Sequence, residues 1–148
     1  MFSTTLEYAL RSVTWLAARP DEAATTQRIA EATQVPEDYL SKVLQQLVRA
    51  GVLDSQRGRN GGFRLAREAS KISMLEVVNA VDPIPRIKTC PLHIADHGVK
   101  LCPLHRRLDN AYKEIEDAFR TTTLDELAPG GTRHVPLCAS KFEVLHAT

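Results

Sequence analysis

The stretch IAEATQVPEDYLSKVLQQLVRAGVLDSQRGRNGGFRLAR, residues Ile29–Arg67, decides how the chain folds. Thr25-Thr26-Gln27 just before it supplies a threonine helix cap. The short helix Gln27–Thr33 buries Ile29 and Ala30, and Gln34-Val35-Pro36 makes a tight connection. Proline costs little in the first turn of a helix, where its missing N–H has no partner to lose. The next helix, Pro36–Ala50, places Leu40, Val43, Leu44 and Leu47 on one face, and Gly51 can end it in the left-handed conformation. Two short helices joined this closely make a helix-turn-helix.

The outer face of the second helix carries Asp38, Ser41, Lys42, Gln45 and Arg49, side chains able to reach base edges and phosphates in a major groove. Helical pairs are common, so the motif gains its weight from the residues after Gly51. Val52–Gln56 reads as a strand, Arg57–Gly62 as a glycine-rich turn and Phe63–Leu65 as a returning strand. Arg57 and Arg59 project from the tip and Arg64 from the return, a basic wing suited to phosphates or a narrow minor groove. A phosphate-cradling loop fits poorly, because no Walker lysine or following helix start accompanies the glycines.

On the N-terminal side, Ser3 to about Arg19 is predicted to be a helix with Leu6, Leu10, Val13 and Ala17 on its buried side, stopped by Pro20. On the C-terminal side, Ser73-Met74-Leu75-Glu76 is a capping box that starts a helix to about Val81. Asp82-Pro83-Ile84-Pro85 breaks the chain. The longest helix, Pro103 to about Thr121, spaces Leu104, Leu108, Ala111, Ile115 and Ala118/Phe119 as a seam for another helix. So small a domain cannot cover that seam, which predicts a homodimer, with packing on its own chain as the alternative. Thr123–Leu127 adds one helical turn. The expected class is mostly α with a small β-wing. Residues 1–82 form a winged helix-turn-helix domain, 83–102 a sensor loop, 103–127 a dimerisation helix and 128–148 a tail holding Cys138 as a free thiol.

Length of 148 residues and 43% hydrophobic content suit one soluble domain with an appended helix. No signal-peptide pattern or membrane-spanning run is visible, so a cytoplasmic protein with no membrane partner is expected. The net charge of +1 hides an asymmetry. Between Ser41 and Lys71 seven basic residues meet only Asp54 and Glu68, whereas Asp109–Glu126 holds six acids against Lys113 and Arg120. A solvated charge run is the plain explanation of either cluster, but a basic middle also fits a polyanion such as double-stranded DNA.

Cys90–His105, CPLHIADHGVKLCPLH, concentrates two of the three cysteines and three of the five histidines and repeats Cys-Pro-Leu-His at both ends. Cytosolic thiols stay reduced, which favours metal or redox chemistry over a disulfide framework. Thiolate and imidazole donors suit zinc or an iron–sulfur cluster. Cys90, His93, Cys102 and His105 offer a tetrahedral zinc set, although the span between His93 and Cys102 is short for a finger. With no metal, Cys90 and Cys102 could act as a dithiol switch, and two ordinary thiols beside chance histidines is the plainest reading. An enzyme is not expected, since no nucleophile motif, dinucleotide motif or His-Glu-x-x-His is present.

YALR at Tyr8–Arg11, the stretch Ile29–Arg67 and the helix Met74–Val81 together resemble the winged helix-turn-helix regulators grouped with IscR, NsrR and RsrR, the Rrf-two family. The resemblance covers roughly residues 1–127 and is most specific in YLSKVLQQL, AGVL and RGRNGGF. It implies a homodimer on a near-palindromic operator, a transcription regulator that is a repressor in our reading, and a cysteine loop able to hold an iron–sulfur cluster. Cys90 and Cys102 match the first and third family cysteines, while Asp96 stands at the second. His105 matches the histidine of IscR-like members, and Glu7 the carboxylate of NsrR-like and RsrR-like members. Arg11 stands where RsrR-like members have a further histidine. The implied ligands are therefore Cys90, Cys102, His105 and Glu7, a set better suited to a 2Fe–2S than a 4Fe–4S cluster.

Overall fold

The computed structural model describes residues 2–90 and 101–128. His93, Asp96, His97 and Cys138 lie outside the described residues, as does the tail from residue 129.

Helix α1, Thr4–Ala17, begins where the Ser3 hydroxyl accepts the Leu6 N–H at 3.2 Å. It buries Leu6, Ala9, Val13 and Leu16. Helix α2, Thr26–Thr33, is capped by the Thr25 hydroxyl, and helix α3, Glu37–Arg49, follows Pro36, which is the cap residue and not the first helical one. The turn between them depends on Gln34, held at φ 54°. Leu40, Val43, Leu44 and Leu47 of α3 are all buried. Burying each such side chain contributes roughly 2 kcal/mol, so this stripe fixes which face of α3 stays outside. Gly51, at φ 72°, closes α3: its N–H donates to Val48 and the Val52 N–H donates to Leu47, both at 3.0 Å.

Strands β1, Leu53–Gln56, and β2, Gly62–Leu65, pair antiparallel, with Leu53 opposite Leu65 and Gln56 opposite Gly62. A third segment joins the wing. Ala24 and Phe63 exchange backbone hydrogen bonds of 2.9 and 2.8 Å, so the turn before α2 lines the returning strand. Gly62 lies so close to this segment that a Cβ there would stand 2.4 Å from the Ala24 carbonyl.

A short 3-10 turn, Ala69–Lys71, leads to α4, Met74–Val81, whose Ser73/Glu76 capping box is formed as the residue pattern predicts. Helix α5, Pro103–Thr121, has no buried residue along its 19 residues. Leu104 is 64% and Leu108 46% exposed. At its far end Met74 N–H donates to Thr122 and Leu124 N–H to Ile72, which brings α6, Leu124–Leu127, back to the domain. Leu124 is fully buried and belongs to the same cluster of buried side chains as Leu16, Leu44, Leu47 and Ile72. The architecture is a mostly helical winged helix-turn-helix with a two-stranded wing and one long, largely uncovered helix.

Candidate nucleic-acid interface and cysteine/histidine centre

The buried stripe of α3 leaves Asp38, Lys42, Gln45 and Arg49 exposed. Ser41 is half-buried, and its hydroxyl donates back to the Glu37 carbonyl at 3.2 Å. Arg57, Arg59 and Arg64 are exposed, and among the described residues none of the three is in an ion pair. Cations left unpaired on a protruding wing keep their full charge for an outside anion. Arg59 and Arg64 also line an open groove of about 490 Å³ with Asp21, Arg28 and Gln56. Arg28 is itself paired with Glu22 at 2.9 Å and lies over the Trp15 ring, so it belongs to the support of the wing.

The second site forms at the start of α5. Cys102 is its N-cap, followed by Pro103, and His105 stands one turn in. The Cys102 Sγ and His105 Nδ1 are 3.1 Å apart, and the Cys90 Sγ is 3.9 Å from the same nitrogen. The three ligand atoms all lie within 4.8 Å of one another, with Cys90 buried and the other two half-buried. Two sulfurs and one imidazole nitrogen in such a space match the donors that zinc and iron–sulfur groups take, so the residues present fit a soft-metal cofactor in chemistry.

Glu7, the fourth expected ligand, is not brought to this group within one chain. It lies exposed on α1 and is paired with Arg11 one turn on. The Arg11 guanidinium also donates to the Thr33 carbonyl at 3.4 Å, tying α1 to the turn before α3.

Sequence reasoning missed Arg86. Its Nε and Nη2 each donate to Asp109 at 2.8 Å, and its Nη1 donates to Glu116 at 2.9 Å. The Ile87 N–H adds a bond of 2.9 Å to the same Asp109 carboxylate. The Arg86 hydrogen bonds, helped by the Ile87 N–H, hold the Asp109 carboxyl down to about 2, and the two carboxylates push Arg86 further up. Asp109 and Glu116 thus belong to a specific clamp, where charge counting alone sees an acidic, solvated face. A cation beside two prolines, opposite acids spaced seven apart on a helix, was the available signal.

Residues 2–130 match the Rrf2 family, described as iron-dependent transcriptional regulators. A protein of Aquifex aeolicus named for HTH-type transcriptional regulation is 28% identical over 138 residues, 91% of this chain and 96% of the relative. Among solved structures, the global cysteine regulator CymR of B. subtilis superposes with a TM-score of 0.72 at 24% identity, over 86% of this chain and 95% of that one. IscR of T. potens gives a TM-score of 0.70 at 24% identity, over 86% and 85%. These two likenesses speak for the fold.

Proposed function

Because the chain belongs to the Rrf2 family of transcriptional regulators, we propose that it binds a double-stranded operator as a homodimer, as a repressor, with binding gated at Cys90, Cys102 and His105. In this reading Ser41, Lys42 and Gln45 address base edges, with Asp38 beside them, and Arg57, Arg59 and Arg64 hold phosphates or the minor groove. The exposure of Asp38, Lys42, Gln45 and the three wing arginines supports it, as does the lack of any ion pair at those arginines among the described residues; Ser41 is half-buried at the edge of the same face. As a DNA-binding regulator the protein would work in the cytoplasm, and among the described residues no helix is long and apolar enough to cross a membrane.

The uncovered seam of α5 supports the dimer. Leu104 and Leu108 lie exposed, and Phe2, Pro83, Ile84, Tyr112 and Ile115 line an apolar hollow of about 370 Å³ beside the same helix. Apolar surface of this kind on a helix is stable when a second helix covers it. A two-fold pair would present two recognition helices to half-sites about one helical turn apart, so a small change in their spacing alters affinity.

The convergence of Cys90, Cys102 and His105 is the observation that carries the sensor reading. The proposed cofactor is a 2Fe–2S cluster held by these three residues, with Glu7 of a second copy as the fourth donor. Such a cluster supplies one-electron redox chemistry, and histidine ligation raises its potential relative to an all-thiolate site. Glu7 would have to exchange Arg11 for the cofactor, which would link cofactor occupancy to α1 and, through Arg11, to the turn before α3.

Zinc is the second reading, and the separations are compatible with a single tetrahedral ion. A single tetrahedral ion places sulfur and nitrogen ligands about 3.5 Å apart. The observed 3.1 and 3.9 Å bracket that value. With neither metal, Cys90 and Cys102 would act as a dithiol. Anaerobic purification with visible absorption and iron, sulfide and zinc analysis separates these. Iron and acid-labile sulfide in equal amounts support the cluster; a colourless, iron-free protein that resists reconstitution overturns it.

A further inference from the structure

Residues 83–90 need something to hold them. Pro83 and Pro85 have no N–H to give, and between described residues no backbone–backbone hydrogen bond fixes residues 83–89. What does fix them is Arg86, four residues before Cys90. Its guanidinium forks across both oxygens of Asp109 and reaches Glu116, and the Ile87 N–H closes on Asp109. Cys102, His105, Asp109 and Glu116 follow one another at spacings that place them on one side of α5. The segment from Arg86 to Cys90 therefore spans the same side of α5 that bears the other two ligands. The ion pairs are partly shielded, with side-chain exposures of 32% for Arg86 and 15% for Asp109. Planar two-point recognition of a carboxylate is a task for arginine, which lysine performs only as a point charge.

We propose that Arg86 is the positioning residue of the cysteine/histidine centre: its clamp on Asp109 and Glu116 seats Cys90 over the first turn of α5, where Cys102 and His105 already stand. The proposal rests on the reading of that centre as a cofactor site, and adds which residue assembles it before a cofactor arrives. Two of the donors are carried by a helix and come together through local geometry. The third arrives on a proline-broken segment, which the clamp ties to the same side of α5. Opening the clamp therefore loosens the seating of Cys90 and leaves Cys102 and His105 where they are.

The test is timed iodoacetamide labelling of the metal-free, full-length protein, with each cysteine followed by peptide mass spectrometry. In Arg86→Gln, labelling of Cys90 is expected to accelerate at least about fivefold, as for a segment released from its local protection. Cys102 labelling and helix content by circular dichroism stay at the parent values. Arg86→Lys gives an intermediate rate. Unchanged Cys90 labelling in Arg86→Gln overturns the proposal, and so does equal acceleration at both cysteines. Should Arg86→Gln fail to fold, Glu116→Gln removes one bond of the clamp, and it must still raise Cys90 labelling about twofold with Cys102 unaffected. Cobalt(II) titration of the parent protein tests the underlying cofactor reading separately. A parent that binds no cobalt, beside variants that release Cys90 alone, refutes metal binding and upholds the clamp.

Discussion

The Leu124 amide donates to the Ile72 carbonyl at 3.0 Å, tying the chain just past α5 to the core that carries the recognition helix. The other end of α5 bears Cys102 and His105. A 19-residue helix is about 28 Å long and transmits a tilt at one end to the other. The centre and the winged domain are therefore joined by one helix, through which a change at the centre would reach the winged domain in the proposed gate.

The wing depends on Gly62. This residue sits at φ 145°, and a Cβ would meet the Ala24 carbonyl at 2.4 Å. Backbone cannot give way as a side-chain tip can, so Gly62→Ala should cost about 2 kcal/mol and loosen the wing from the turn before α2. Thermal melting should drop by several degrees, and duplex affinity should fall further than stability alone explains.

Arg59 is exposed, without an ion-pair partner among the described residues, and lines the wing groove. Arg59→Ala is expected to weaken duplex binding about equally for all sequences and to reduce the salt dependence by about one phosphate contact. Gel-shift titrations at several salt concentrations read both effects. Unchanged affinity throughout removes Arg59 from the interface.

Acid should open the clamp on α5. The Asp109 carboxyl is lowered from 3.8 to about 2 by the Arg86 hydrogen bonds and the Ile87 N–H. A carboxyl depressed on folding stabilises the folded state above its unfolded pKa, and the contribution is lost as pH falls through the folded one. The clamp is thus complete above about pH 4 and lost toward pH 2. Melting curves across that window should show a shallower decline for Asp109→Asn than for the parent, because the variant has no such charge to lose.

Much of the fold was legible because it is locally encoded. The Thr25 cap, the Gly51 stop, the Ser73/Glu76 box and the leucine and valine stripe of α3 each act within a few residues, and each formed as the residues predict. Of the four residues that the repeated Cys-Pro-Leu-His pattern offers, Cys90, Cys102 and His105 converge, and His93 lies outside the described residues. Gln34 was not legible, since a left-handed residue is ordinarily announced by glycine. The Ala24–Phe63 bridge and the Arg86–Asp109 clamp join residues 39 and 23 apart; no local rule marks the first, and only the charge pattern along α5 hints at the second. The helical turn at Thr123–Leu127 is visible in the residue pattern, but the burial of Leu124 is not, since it depends on backbone hydrogen bonds to residues 72–74 formed only when the chain returns. Glu7 is placed by one chain on the surface of α1, so the ligand role proposed for it would require a second copy.

The most direct test compares duplex affinity between cofactor-loaded and stripped protein, on a sequence selected in vitro by the protein itself, for the parent and for the Cys90→Ser, Cys102→Ser double variant. A change on the order of tenfold between the two states of the parent, absent from the double variant, is the predicted result. A parent that binds equally well in both states, or a double variant that responds as the parent does, would contradict the claim that this centre governs the grip on DNA.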